Sequence, residues 1–237
     1  IIGISIFGLI WAVILFVSLG ASQSMFNVKA SKKVERNKRN IIKEFLEIQS
    51  LQLWLLGFYA AILVGGIMST FAETYGVILL EQIKGITSEH AAWLNSLIFV
   101  GVGVGAPLHG IIVKQFNRQS TWLIISCVIV LSIMSGMSFY LVHVDNVDLI
   151  AMLYFLIGFF TSSMLLTFSL AKKMYPAKNH GMVFAFINML IGLGGFFVPL
   201  LFGMLLQSFQ AHAVDLIHVI KYLVLPVVIS LIISFLI

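Results

Sequence analysis

Polar and apolar residues along this chain come in blocks. Seven apolar runs, at 1–20, 51–79, 92–113, 121–142, 149–171, 181–206 and 222–237, are separated by polar stretches. A helix crosses the roughly 30 Å hydrocarbon core of a bilayer in about 20 residues. The runs are continuously apolar and lack period-two alternation, so they predict helices and not barrel strands. The expected fold is an all-α, polytopic transmembrane helical bundle of seven spans. The first and last runs stop at the chain ends. Ile1 is not an initiator methionine and no basic stretch precedes it, so the first run does not read as a signal peptide. The chain is expected to be a fragment that begins and ends inside spans.

Composition agrees. Sixty per cent of the residues are hydrophobic, 10% are charged and the mean hydropathy is +1.08. Soluble domains carry about 25% charged residues. A net charge of +5 would suit a nucleic-acid partner if it formed a patch, but its placement speaks against one. Lys29, Lys32, Lys33, Arg36, Lys38, Arg39 and Lys43 lie between the first and second runs, Lys114 and Arg118 follow the third, and Lys172, Lys173 and Lys178 follow the fifth. Twelve of fourteen basic residues thus fall on one side, with Lys84 and Lys221 on the other. The positive-inside rule makes the rich side cytoplasmic, with residue 1 outside and residue 237 inside. The basic excess is a topology signal, and no nucleic acid is expected.

The polar segment 21–49 reads as a basic cytoplasmic linker between a first span, 1–20, and a six-helix domain, 50–237. Its second half, with Ile41, Ile42, Phe45, Leu46 and Ile48 at helical spacing, could lie along the membrane surface. Cys127 is the single cysteine, so no intrachain disulfide or thiolate metal site is expected. The histidines are scattered without metal-ligand spacing, and neither a metal nor a cofactor is expected. His109 lies late in the third run and reads as a satisfied side chain, not a ligand. Gly101, Gly103 and Gly105 spell part of a phosphate-loop pattern, but mid-span, with no strand before them.

Polar atoms are costly in a bilayer, so their angular placement is informative. At about 100° per residue, Gln52, Tyr59, Gly66, Thr70, Glu73 and Thr74 share one face of the second run. Tyr154, Gly158, Thr161, Ser162 and Ser169 share a face of the fifth, and Gly181, Asn188, Gly192, Gly195, Pro199 and Gly203 a face of the sixth. Such stripes predict a shared interior, either a cavity or a close-packed bundle. Glu73, Tyr59, Thr70, Asn95, Tyr154, Thr161, Ser162 and Asn188 are the candidate transport or coupling residues. Glu73 stands out as the acidic residue inside a run. It is expected to point inward, and either to take up and release a proton or to meet a cationic group of a solute directly.

The third and sixth runs also look alike. A glycine recurs six and fifteen residues after Asn95 (Gly101, Gly110) and after Asn188 (Gly194, Gly203), with Pro107 and Pro199 between. The predicted topology runs these two helices in opposite directions, as an inverted repeat of three spans plus three requires.

Three passages resemble the carboxy-terminal half of a bacterial major facilitator superfamily transporter, over essentially the whole chain. Gly105-Ala-Pro-Leu-His-Gly110 with Lys114, Asn117 and Arg118 is similar to the second copy of the family's cytoplasmic loop motif. Tyr175-Pro176 with Gly181, Asn188, Gly194, Gly195, Pro199 and Gly203 is similar to the junction of spans ten and eleven. Phe71-Ala72-Glu73-Thr74-Tyr75-Gly76 is similar to the outer end of span seven. The loop departs from the pattern, with Lys114 in place of an aspartate and Asn117 in place of a glycine. The resemblance implies that 1–20 is span six and that spans seven to twelve follow. It also implies an amino-terminal half outside this chain, an inner (plasma) membrane, and alternating-access transport of a small solute. Gly110, Lys114 and Arg118 would then belong to a gating loop. A membrane enzyme would need clustered acid, histidine or cysteine groups, which the pattern lacks. A non-transporting sensor or assembly component remains the alternative, and a solute-uptake assay separates the two.

Overall fold

The computed structural model describes residues 47–116, 118–143, 145–208 and 215–237. The first run and most of the linker lie outside the described residues. What is described is helical throughout. Five stretches are long and apolar enough to cross a membrane, Leu51–Lys84, Ser88–Gln115, Gln119–Phe139, Val147–Met174 and Ala177–Leu205, and Val224–Leu236 is a shorter apolar helix. Each coincides with one of the apolar runs.

The helices begin and end where local chemistry dictates. Helix α1, Leu51–Leu63, starts at Ser50, whose hydroxyl accepts the Leu53 amide at 3.1 Å. It continues as a π-helical stretch, Val64–Tyr75, and then as α2, Gly76–Lys84. Gly85 closes α2 at φ 62°, the left-handed conformation that glycine adopts without strain. Helix α3, Ser88–Phe116, and α4, Gln119–Tyr140, follow. Asn146 caps α5, Val147–Thr161, by accepting the Asp148 and Leu149 amides at 3.0 and 3.2 Å. A 3₁₀ turn, Ser162–Leu165, joins α5 to α6, Leu166–Met174. Helices α7, His180–Ser208, and α8, Asp215–Leu236, complete the chain.

Helices pair in three main contacts, α3 with α5, α4 with α8, and α1 with its π extension against α7. In lipid no hydrophobic drive separates helix from solvent, so close approach and packing hold such pairs together. Glycines mark where backbones meet. A Cβ at Gly101 would strike the Phe155 carbonyl, one at Gly105 the Phe159 carbonyl, and one at Gly158 the Ile98 carbonyl. Gly65 and Gly194 do the same for α7, against the Gly194 and Ala61 carbonyls. Between the pairs lies an apolar core that includes Leu63, Ile67, Phe71, Leu79, Ile98, Leu123, Val130, Met134 and Ile157.

The Tyr175-Pro176 passage has a clear structural role. The Tyr175 hydroxyl lies 2.6 Å from Ser50 Oγ and donates to the Ile48 carbonyl at 2.8 Å. It fastens the entry of α1 to the turn between α6 and α7.

Candidate functional site

The π-helical stretch decides which side chains of the second run face together. In an i→i+5 helix each residue turns the chain by roughly 80–90°, against about 100° in an α-helix. Two side chains follow that register: Thr70 Oγ1 donates to the Gly65 carbonyl at 2.5 Å and Thr74 Oγ1 to the Ser69 carbonyl at 2.6 Å. Over about ten residues the lag accumulates to roughly 150°. By Glu73 that lag has turned the chain away from the side of Tyr59, so the uniform stripe expected for this run does not hold. Tyr59 and Thr70 are fully buried, whereas Glu73 and Thr74 are exposed on the surface of the described helices. The expectation that Glu73 shares their face and points into this bundle is corrected accordingly.

The candidates divide the same way. Tyr59, Thr70, Asn95, Tyr154, Thr161 and Ser162 lie inside the helix bundle. The Tyr59 hydroxyl donates to the Leu123 carbonyl at 3.4 Å and lies 3.3 Å from Ser163 Oγ, while Cys127 Sγ donates to it at 3.6 Å. This knot joins three helical segments. Asn95 donates through Nδ2 to the Ala72 carbonyl at 2.7 Å, where it holds α3 against the π stretch. Ser162 Oγ donates to the Phe159 carbonyl at 2.7 Å. Tyr154 packs its ring 5.4 Å from Phe71. Its hydroxyl and that of Thr161 find no hydrogen-bond partner among the described residues. The Tyr59 knot and the Asn95 bond tie neighbouring helices together, whereas Thr70 and Ser162 bond within their own segments.

Glu73 and Asn188 form the outward-facing set. Glu73 lies in the stretch Leu51–Lys84, eleven residues before its end. A carboxylate within a span is too costly to present to hydrocarbon, so an exposed one calls for water or a polar partner. Beside it the π stretch meets α7 through small groups: a Cβ at Gly195 would come 3.1 Å from Ser69 Oγ, and one at Gly203 3.1 Å from the Tyr75 hydroxyl. The aromatic face of α1 continues outward, with Trp54 stacked 5.5 Å from Phe58 and edge-on to Phe186 at 4.8 Å.

The loop candidates Gly110, Lys114 and Arg118 are exposed at the turn between α3 and α4. Neither cation meets a carboxylate among the described residues. Next to them is a buried constellation that the pattern of polar stripes did not bring out. The Trp122 indole donates to His109 Nδ1 at 2.7 Å, and His109 Nε2 lies 2.7 Å from the Phe159 carbonyl. With Nδ1 accepting, Nε2 carries the proton and donates. The imidazole is neutral and saturated, bridging α3, α4 and α5. An aromatic thirteen residues from a lone histidine, across a turn, was the available signal for it. Among the described residues no group of histidine, cysteine, aspartate or glutamate could hold a metal ion.

Apolar spans crossing in small-residue pairs define a polytopic integral membrane protein. Residues 74–236 match the family model of the Major Facilitator Superfamily, and the chain belongs to that family. Membership implies secondary transport of a solute across a lipid bilayer and no enzymatic chemistry. A search of curated proteins found no match.

Proposed function

We propose that this chain is the carboxy-terminal part of a secondary active transporter that moves a small solute by alternating access, in a bacterial inner membrane. The observation that carries the reading is the family match across 74–236. In this reading 1–20 is a span, 21–49 a basic cytoplasmic linker and 50–237 a six-helix domain, with residue 1 outside and residue 237 in the cytoplasm. An amino-terminal half lies opposite an exposed surface of this domain. The inverted repeat is supported by Gly101 and Gly194, equally spaced from Asn95 and Asn188 and both set against a neighbouring backbone.

Within that arrangement Glu73 couples solute movement to a proton or meets a cationic group of the solute. Its exposure on an apolar span supports a watery or polar surrounding, which either role needs. Counterflow in vesicles reconstituted with the intact protein identifies the solute. Glu73→Gln keeps the shape and removes the titration. Under proton coupling it abolishes accumulation driven by a pH gradient and spares exchange. Under direct solute contact, exchange weakens as well. Wild-type accumulation with unchanged pH dependence contradicts both.

A further inference from the structure

The basic face of the bundle carries a cavity whose lining includes neither Glu73 nor Asn188. Where α3 ends and α4 begins, Ile112, Val113, Arg118, Thr121, Trp122 and Ile125 enclose a volume of about 250 Å³. Its floor is apolar, with Val113 buried and Ile125 partly exposed. Its rim is cationic and polar, with Arg118 and Thr121 exposed.

We infer that this groove between α3 and α4 binds one anionic phospholipid, with an acyl chain along Ile112, Val113, Trp122 and Ile125 and the phosphate at Arg118. Charge complementarity selects this occupant. Lys114 is exposed one turn before Arg118, and the segment 114–121 holds no acidic residue to neutralise either cation. Lys172, Lys173 and Lys178 come to the same membrane face, because α6 ends and α7 begins on the side where α3 ends. Basic pockets between spans at such a face are suited to acidic headgroups. Arg118 also stands at the start of α4, and no side chain caps that helix, so its first amides face the same phosphate. The groove wall is firm, since the Trp122 indole is fixed on His109. Phosphatidylcholine offers Arg118 the same phosphate but adds a quaternary ammonium that the clustered cations repel, so a headgroup of net negative charge suits this face better. The replacement of the usual loop aspartate by Lys114 thereby turns this face toward acidic lipid. The inference does not depend on which solute is carried.

Native mass spectrometry on the intact protein, titrated with dioleoylphosphatidylglycerol or dioleoylphosphatidylcholine, measures the site. Retention of one phosphatidylglycerol at least five-fold above phosphatidylcholine is expected. Arg118→Gln removes that preference, Arg118→Lys retains most of it, and Ile125→Trp, which fills the groove, lowers retention of both lipids. Thermal unfolding of each variant confirms a folded protein. Equal retention of the two lipids, or an Arg118→Gln variant that keeps its preference, overturns the inference. So does full displacement of phosphatidylglycerol by inorganic phosphate, which would mark an anion site without an acyl groove.

Discussion

Helices α3 and α7 carry the same spacing from an asparagine, and the structure uses it in part alike and in part differently. Six residues on, Gly101 and Gly194 do one job: each lets its helix lie against a neighbouring backbone, at Phe155 and at Ala61. Fourteen residues on, both positions are buried, but with different chemistry. His109 binds Trp122 and the Phe159 carbonyl, whereas Phe202 packs 5.1 Å from Tyr75. The asparagines themselves diverge, Asn95 being 6% exposed and bonded to Ala72 while Asn188 faces outward. At fifteen, Gly110 would meet nothing within 4 Å, whereas Gly203 lies near the Tyr75 hydroxyl. The crossing point is thus the shared feature, because helix approach tolerates no side chain there. Positions away from it are free to take separate roles.

The largest effects test that shared point. Gly101→Leu and Gly194→Leu each force a side chain into a neighbouring backbone, and each is expected to cost about 3 kcal/mol or more in thermal unfolding. Tolerance of one and not the other breaks the parallel. A smaller loss follows from His109→Phe, which gives α3 the residue α7 has. It leaves the Trp122 indole without its acceptor and is expected to cost about 2 kcal/mol. An unchanged melting temperature would mean that the bridge between α3, α4 and α5 contributes nothing. The smallest contrast lies at the asparagines. Asn95→Ala is expected to cost about 1 kcal/mol through the bond to Ala72, and Asn188→Ala under about 0.5 kcal/mol. Equal losses would place Asn188 in a packed interface.

The positions of the described spans were legible because a bilayer demands unbroken apolar runs, which any reading of hydropathy finds. The crossing glycines were legible too, since small residues at fixed spacing have few other uses in a span. The facing of Glu73 was not. A uniform 100° per residue placed it beside Tyr59 and Thr70, and the π stretch Val64–Tyr75 moved it away. The Gly65-Gly66 pair at the start of that segment does not by itself specify i→i+5 bonding, so the phase error was invisible. The Tyr59–Cys127–Ser163 knot was hidden for another reason. Its members come from three separate segments, and neither Cys127 nor Ser163 belonged to a polar stripe.

The central claim is that the outward set, Glu73 and Asn188, borders a watery path through the intact protein, while the buried Thr70 does not. Cysteine accessibility measures it without knowledge of the solute. In a Cys127→Ser background, Glu73→Cys and Asn188→Cys should react with a membrane-impermeant, hydrophilic thiol reagent. Thr70→Cys should not, and neither should Phe235→Cys, a control at an exposed apolar position on α8. Labelling of Glu73→Cys no faster than Phe235→Cys would place Glu73 against lipid or inside a packed interface and contradict the account.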